Sequence, residues 1–125
     1  MSRCHIHDHY KVSLISSGDE QVGDTVIRAT NYYANVPDGS GVNSRMGAVV
    51  RVEGNHFQGV ENPIVFLDSA KTGTWDVTGG NTFVNCTGSQ PTTSTGQLTP
   101  PYSYTLDPVA DVPTTVPAAA GVGKL

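Results

Sequence analysis

Charge is scarce in this chain of 125 residues: only 14% are Asp, Glu, Lys or Arg, and 7 basic residues stand against 11 acidic ones. Counterion release on nucleic acid needs a basic surface, so a net charge of −4 excludes an electrostatically driven nucleic-acid binder. Aromatic residues make up 7% and hydrophobic residues 37%, which is low for a globular chain. No apolar run approaches ~18 residues, so no transmembrane helix is expected. The N-terminus, Met1-Ser2-Arg3-Cys4-His5, lacks the apolar stretch of a signal peptide. The two cysteines, Cys4 and Cys86, allow one disulfide, demand none and leave the redox compartment open. Helical periodicity is also wanting. The longest helix-compatible stretch, Pro117-Ala118-Ala119-Ala120, is stopped by Gly121.

What is present is the material of turns and strands. There are 14 Gly and 8 Pro, with abundant Val and Thr, in a length that fits one domain. Alternating runs at Tyr10 to Ile15, Thr25 to Thr30, Val49 to Glu53 and Trp75 to Thr78 read as strands. Pro63-Ile64-Val65-Phe66-Leu67 is a short apolar run suited to a strand buried on both faces.

These strands belong to a repeat. Asn31-Tyr32-Tyr33 is followed by Val36, Asn55-His56-Phe57 by Val60, and Asn81-Thr82-Phe83 by Cys86. Cys4-His5-Ile6, followed by His9, is a degenerate first copy, so the copies start 27, 24 and 26 residues apart. A strand-like run precedes each of the three good copies. Such a period with short strands indicates a solenoid. A propeller blade would need ~40–45 residues, so a coil of a parallel β-helix fits better. Asn at equivalent turns can form a hydrogen-bonded ladder, because its amide both donates and accepts. The aromatics two residues later would stack inside the coil. The competing reading is an antiparallel sandwich in which the triplets recur by chance.

Beyond Thr87 the period is lost, proline is frequent, and Asp107, Asp111 and Lys124 are the charged residues. This segment reads as an extended tail over a scaffold or as disorder. Alternation at Tyr102, Tyr104 and Leu106 suggests an added strand or an edge cover.

Chemistry-bearing patterns are thin. His5, His7 and His9 share a face if extended, and a His-x-His pair on a strand can ligate zinc. No second Cys/His group accompanies them, so polar surface histidines are the plainer reading. Asp19, Glu20 and Asp24 form an acidic turn without the ligand spacing of a calcium loop. Gly39-Ser40-Gly41 reads as a loop, because no strand-to-helix context makes it a nucleophile elbow. Asn85-Cys86-Thr87 matches the N-glycosylation sequon, which matters only for a secreted chain.

Several segments in order resemble one family. His7-Asp8-His9-Tyr10-Lys11-Val12-Ser13-Leu14-Ile15 is similar to the HDHyKvsLiG segment of pectate lyases of polysaccharide lyase family 1. Asn31-Tyr32-Tyr33 resembles its NNYY coil. Ser40 to Ala48 with Val52 to Phe57 resembles the following coil, and Asn62-Pro63-Ile64-Val65 the next strand. Pro101 to Leu125 is similar to the family's C-terminal tail. The resemblance implies an all-β chain: a right-handed parallel β-helix of about four coils over residues 1–88, with an extended tail over 89–125 packing on it. It implies calcium-dependent β-elimination of polygalacturonate, a secreted location, no membrane or nucleic-acid partner, and Lys11 as the residue facing the substrate carboxylate. The family's arginine base lies in an SRxPxxRxG segment between the lysine coil and the NNYY coil. Here Asp19 to Asp24 runs almost directly into Thr25-Val26-Ile27, so that coil is missing, and Arg28 and Arg45 do not replace its pattern. The family's calcium carboxylates lie on coils upstream of the lysine segment and have no counterpart in this chain. The expectation is therefore a lyase-like chain with no catalytic residue and no metal ligand of its own, monomeric unless its uncapped N-terminal coil associates. The rival readings are a non-catalytic pectin-binding remnant and a pectin lyase-type enzyme.

Overall fold

The computed structural model describes residues 4–8, 11–16, 25–67, 70–100 and 102–120, and for 11–16 and 25–29 the backbone alone. Ten short strands are β1 His5–His7, β2 Lys11–Ser16, β3 Thr25–Ala29, β4 Tyr32–Val36, β5 Ser40–Arg45, β6 Val49–Glu53, β7 His56–Val60, β8 Ile64–Val65, β9 Thr74–Asp76 and β10 Thr82–Val84. They form three sheets in the orders β1-β4-β7-β10, β2-β5-β8 and β3-β6-β9. Each strand pairs in parallel with its equivalent one repeat away. The architecture is the expected right-handed parallel β-helix, and the sandwich is excluded.

The repeat explains how each coil turns. Thr30, Gly54 and Gly80, the residues before the three ladder asparagines, all have positive φ (53°, 61° and 76°). This left-handed residue bends the chain from the third sheet into the first. The asparagine after it then locks the bend to the next coil. Asn55 Oδ1 accepts from both N and Nδ2 of Asn31 at 2.9 and 3.0 Å. Asn81 Oδ1 accepts from N and Nδ2 of Asn55, each at 3.1 Å. The ladder runs up to the degenerate copy, where Cys4 N donates to Asn31 Oδ1 at 3.0 Å.

The aromatic rows fill the coil. Ile6, Tyr33, Phe57 and Phe83 stand in one register. Tyr33 stacks on Phe57 with centroids 4.6 Å apart, and Phe57 on Phe83 at 5.5 Å. These distances are close to the strand spacing of ~4.8 Å, so rings on successive coils meet face to face. A second row joins buried Val36 and Val60 to Cys86, whose thiol donates to the Phe57 carbonyl at 3.3 Å. Val42, Val50, Val52 and Ile64 from the other two sheets complete the core.

Four local expectations are corrected. Ser40-Gly41 is the start of β5, not a loop. The apolar run at Pro63–Leu67 is a strand only at Ile64–Val65, and Leu67 is 39% exposed. The tail contains a helix, α1, Val112–Ala119, preceded by a 3-10 turn at Val109–Asp111. Pro113 suits its first turn, where an amide has no helical partner, and Val112 and Val116 are buried as α1 packs against β4. Tyr102 to Leu106 is not a strand. Leu106 instead meets the turn at Gly54, its side-chain carbons 3.4 and 3.5 Å from where a Cβ there would sit.

The rest of the tail crosses the end of the third sheet. Thr95 N and Gly96 N donate to the Trp75 carbonyl at 2.9 and 3.0 Å, covering the open edge of β9. Ser89 does the same for β8: its carbonyl accepts from Ile64 N at 3.3 Å and its hydroxyl donates to the Ile64 carbonyl at 2.6 Å. Unpaired strand edges invite association, and the tail covers those of β8 and β9 at this end.

Candidate functional site

Lys11 opens β2 and pairs with Ser40, the first residue of β5. On the next coil Asn62 stands beside them: its carbonyl accepts from Gly41 N at 3.2 Å, and its Nδ2 donates to the Gly39 carbonyl at 3.3 Å. Glu61 accepts from Gly39 N at 2.7 Å, which fixes the turn leading into β5. One cation thus heads a row of neutral hydrogen-bonding residues. Ser40 is buried in that row, and Asn62 is half-buried.

The histidine cluster serves local contacts. His5 stacks on Tyr32 at 4.9 Å, and His7 Nδ1 meets Asp8 Oδ2 at 2.6 Å. Burial, then the neighbouring His7, lowers the His5 pKa, against a smaller opposing pull from Asp8. Asn35 Nδ2 donates to Asp8 Oδ1. His9 and the acidic turn at Asp19, Glu20 and Asp24 lie outside the described residues. Among the described residues no group of three or more His, Cys, Asp or Glu is placed to hold a metal ion. Cys4 and Cys86 are not joined in a disulfide.

Of the arginines singled out from sequence, Arg28 lies in β3 and Arg45 closes β5. Arg45 precedes a tight turn through Met46 and Gly47, closed by Ala48 N donating to its carbonyl at 2.9 Å. Neither is brought to Lys11 by the strand register.

The structure also gathers a cluster that sequence reasoning left unassigned. Arg51 on β6 reaches Asp76 Oδ2 and Glu53 Oε2, both at 3.0 Å, and donates to the Leu98 carbonyl at 2.9 Å. Its pKa is raised, first by the hydrogen bond to Glu53. That is the wrong direction for an arginine acting as a base. Burial alone would raise the Asp76 pKa. Hydrogen bonds from the Thr78 hydroxyl and the Leu98 and Thr78 amides, with the Arg51 charge, hold it instead at about 2. Tyr104 donates to Glu53 Oε1 and ties the tail to the same cluster. The signal was available: alternation puts Arg51 and Glu53 on one face, and the 25-residue offset puts Asp76 beside Arg51.

No protein-family profile matches the chain. Individual proteins do. The chain is 50% identical over 95 residues to a pectate trisaccharide-lyase of Bacillus licheniformis, covering 76% of this chain and 27% of that one. It is 32% identical over 147 aligned positions to a probable pectate lyase A of Neosartorya fischeri, covering 97% of this chain and 44% of that one. The chain is a homologue of pectate lyases. Pectate lyase II of Xanthomonas campestris shares the fold with a TM-score of 0.65 and 32% identity, over 96% of this chain and 41% of that one. A pectate lyase of a Bacillus species, solved in complex with trigalacturonate, matches in fold with a TM-score of 0.66 at 24% identity, over 98% of this chain and 48% of that one.

This pectate lyase homologue thus spans less than half the length of these relatives. It is also shorter internally. In the Neosartorya comparison about 121 of its residues occupy 147 positions, so about 26 positions of the relative have no counterpart here. That is the length of one coil in this chain, 24 to 27 residues. β1 and β2 of the lysine coil stack directly on β4 and β5 of the Asn31 coil, with nothing between.

Proposed function

We propose that this chain recognises polygalacturonate through the β2-β5-β8 sheet, with the Lys11 ammonium pairing a galacturonate carboxylate, and leaves the glycosidic bond intact. The reading is supported by the roughly 26 positions of the Neosartorya relative that have no counterpart here, about the length of one coil, and by a sequence that runs from the lysine segment into Asn31 without the family's arginine segment. β-Elimination needs a base for the C5 proton and cationic groups for the charge that builds on the carboxylate. In the family these come from an arginine coil and from calcium. Here the arginine with the best-defined surroundings, Arg51, is held by two carboxylates on another sheet. The charge on Lys11 is sufficient for binding, which requires only pairing with a carboxylate. Residues 1–88 form the binding β-helix in this reading, and 89–125 the tail that covers its end. The protein acts outside the cell, where pectin is found. Within a longer protein, further coils would supply the base and the calcium ligands, and this chain would contribute Lys11 to a complete lyase.

Calorimetric titration with tetragalacturonate tests the binding claim. Lys11→Ala should weaken binding about tenfold, as expected for one charge-assisted contact. Equal affinity of the two proteins would remove Lys11 from the site.

A further inference from the structure

A groove of about 650 Å³ lies over the outer face of the third sheet, away from the sheet that carries Lys11. Its floor is Arg51, Glu53 and Gly79, and its wall is the tail at Thr99 and Pro100 and from Tyr102 to Leu106. The size suits a small ligand. Two features give its chemistry. Tyr102 and Tyr104, 59% and 38% exposed, flank it with ring centroids 5.8 Å apart. With Leu67 they are the exposed large hydrophobic side chains among the described residues. Thr99, Ser103 and Thr105 place hydroxyl groups around the same rim.

The charge beneath the groove decides the occupant. Arg51 is matched by both Glu53 and Asp76, so the cluster carries one net negative charge when all three are ionised. The low pKa of Asp76 keeps its carboxylate ionised through the neutral range. A polyanion is repelled there. A neutral pyranose is not: its C–H face packs on an aromatic ring, and its hydroxyls pair with the rim hydroxyls of Thr99, Ser103 and Thr105.

We propose that this groove binds a neutral oligosaccharide, and that Tyr102 and Tyr104 form its platform. The site would hold the protein to an uncharged glycan while the sheet that carries Lys11 meets the acidic one. It is independent of the role of Lys11.

Nuclear magnetic resonance titration of the whole chain tests it, with xylotetraose and cellotetraose as neutral probes and tetragalacturonate as the anionic one. At least one neutral probe should shift the amides of Thr99 and of residues 102–106 at millimolar concentration. Tyr102→Ala should weaken that binding about five- to tenfold while leaving the melting temperature unchanged, because the ring is exposed. Thr99→Val, a second surface change, should weaken it less. Lys11→Ala should leave it untouched. Absence of shifts with both neutral probes at about 10 mM would overturn the proposal, as would an affinity left unchanged by Tyr102→Ala. Stronger binding of tetragalacturonate at these amides would show that the charge argument is wrong.

Discussion

Replacing Asn55 by Ala removes the central rung of the ladder. Asn55 is fully buried. Its Oδ1 accepts two hydrogen bonds from Asn31, and its Nδ2 donates to Asn81 Oδ1 and to the Glu53 carbonyl, both at 3.1 Å. Four bonds at a net ~1 kcal/mol each give a loss of about 4 kcal/mol. The partners left behind are themselves shielded from water: Asn31 is fully buried, and its amide and side-chain nitrogen both lose this acceptor. Alanine cannot admit water without opening the stack, so relaxation recovers little. Against a total stability of ~5–15 kcal/mol the variant should be close to unfolding. In urea, with a slope of ~2 kcal/mol/M, the midpoint should fall by about 2 M when followed by circular dichroism. Gln58→Ala on the neighbouring strand is the control. Gln58 is exposed, and its bond from Tyr32 Oη at 3.3 Å is long, so the midpoint should move by less than about 0.3 M. A drop of less than about 0.5 M for Asn55→Ala would refute the claim that the ladder holds the coils in register.

Other outcomes follow from the same structure. Gly73→Ala should destabilise by about 2 kcal/mol or more on urea denaturation, because its Cβ would lie 2.1 Å from the Ser44 carbonyl oxygen, a backbone atom that cannot swing aside. The Asp76 pKa is depressed from 3.8 to about 2, so its contribution to tail docking is complete above about pH 4 and is lost as pH falls through about 2. Amide protection at Thr95, Gly96 and Leu98 should accordingly persist at pH 4 and decline towards pH 2, whereas Asp76→Ala should lower it already at pH 7. β2 pairs on one side and β6 on both, so amides of Val12 to Ile15 should exchange much faster than those of Val49 to Val52 in dilute solution. Equal protection would mean that the first coil is covered by contacts outside the described residues.

The fold was legible where a side chain recurs at each turn for a reason that repeats. Asn31, Asn55 and Asn81 must both donate and accept, and Tyr33, Phe57 and Phe83 must stack, so a single sequence displays the coil. β5 was hidden because Ser40, Gly41, Asn43 and Ser44 are polar or small, although all four are buried. Asn43 satisfies itself by bridging to the backbone of Leu67 at 2.9 and 3.3 Å, a pairing that no alternation pattern announces. Helix α1 was hidden by Pro113 and Pro117. Its stability comes from burying Val112 and Val116, a tertiary effect that propensity does not contain. Lys11 was found through resemblance, whereas the Arg51, Glu53, Asp76 and Tyr104 cluster followed from the period itself for its first three members. Tyr104 reaches it across 51 residues of irregular chain, and nothing local in the sequence encodes that contact.

The central claim is that a β-helix short of one coil keeps the means to bind polygalacturonate and lacks the means to cleave it. Ultraviolet absorbance of the unsaturated product, followed with polygalacturonate and calcium at a concentration where calorimetry shows the polymer bound, tests this most directly. The account predicts binding with no rise in absorbance. A robust rise that a calcium chelator abolishes would contradict it.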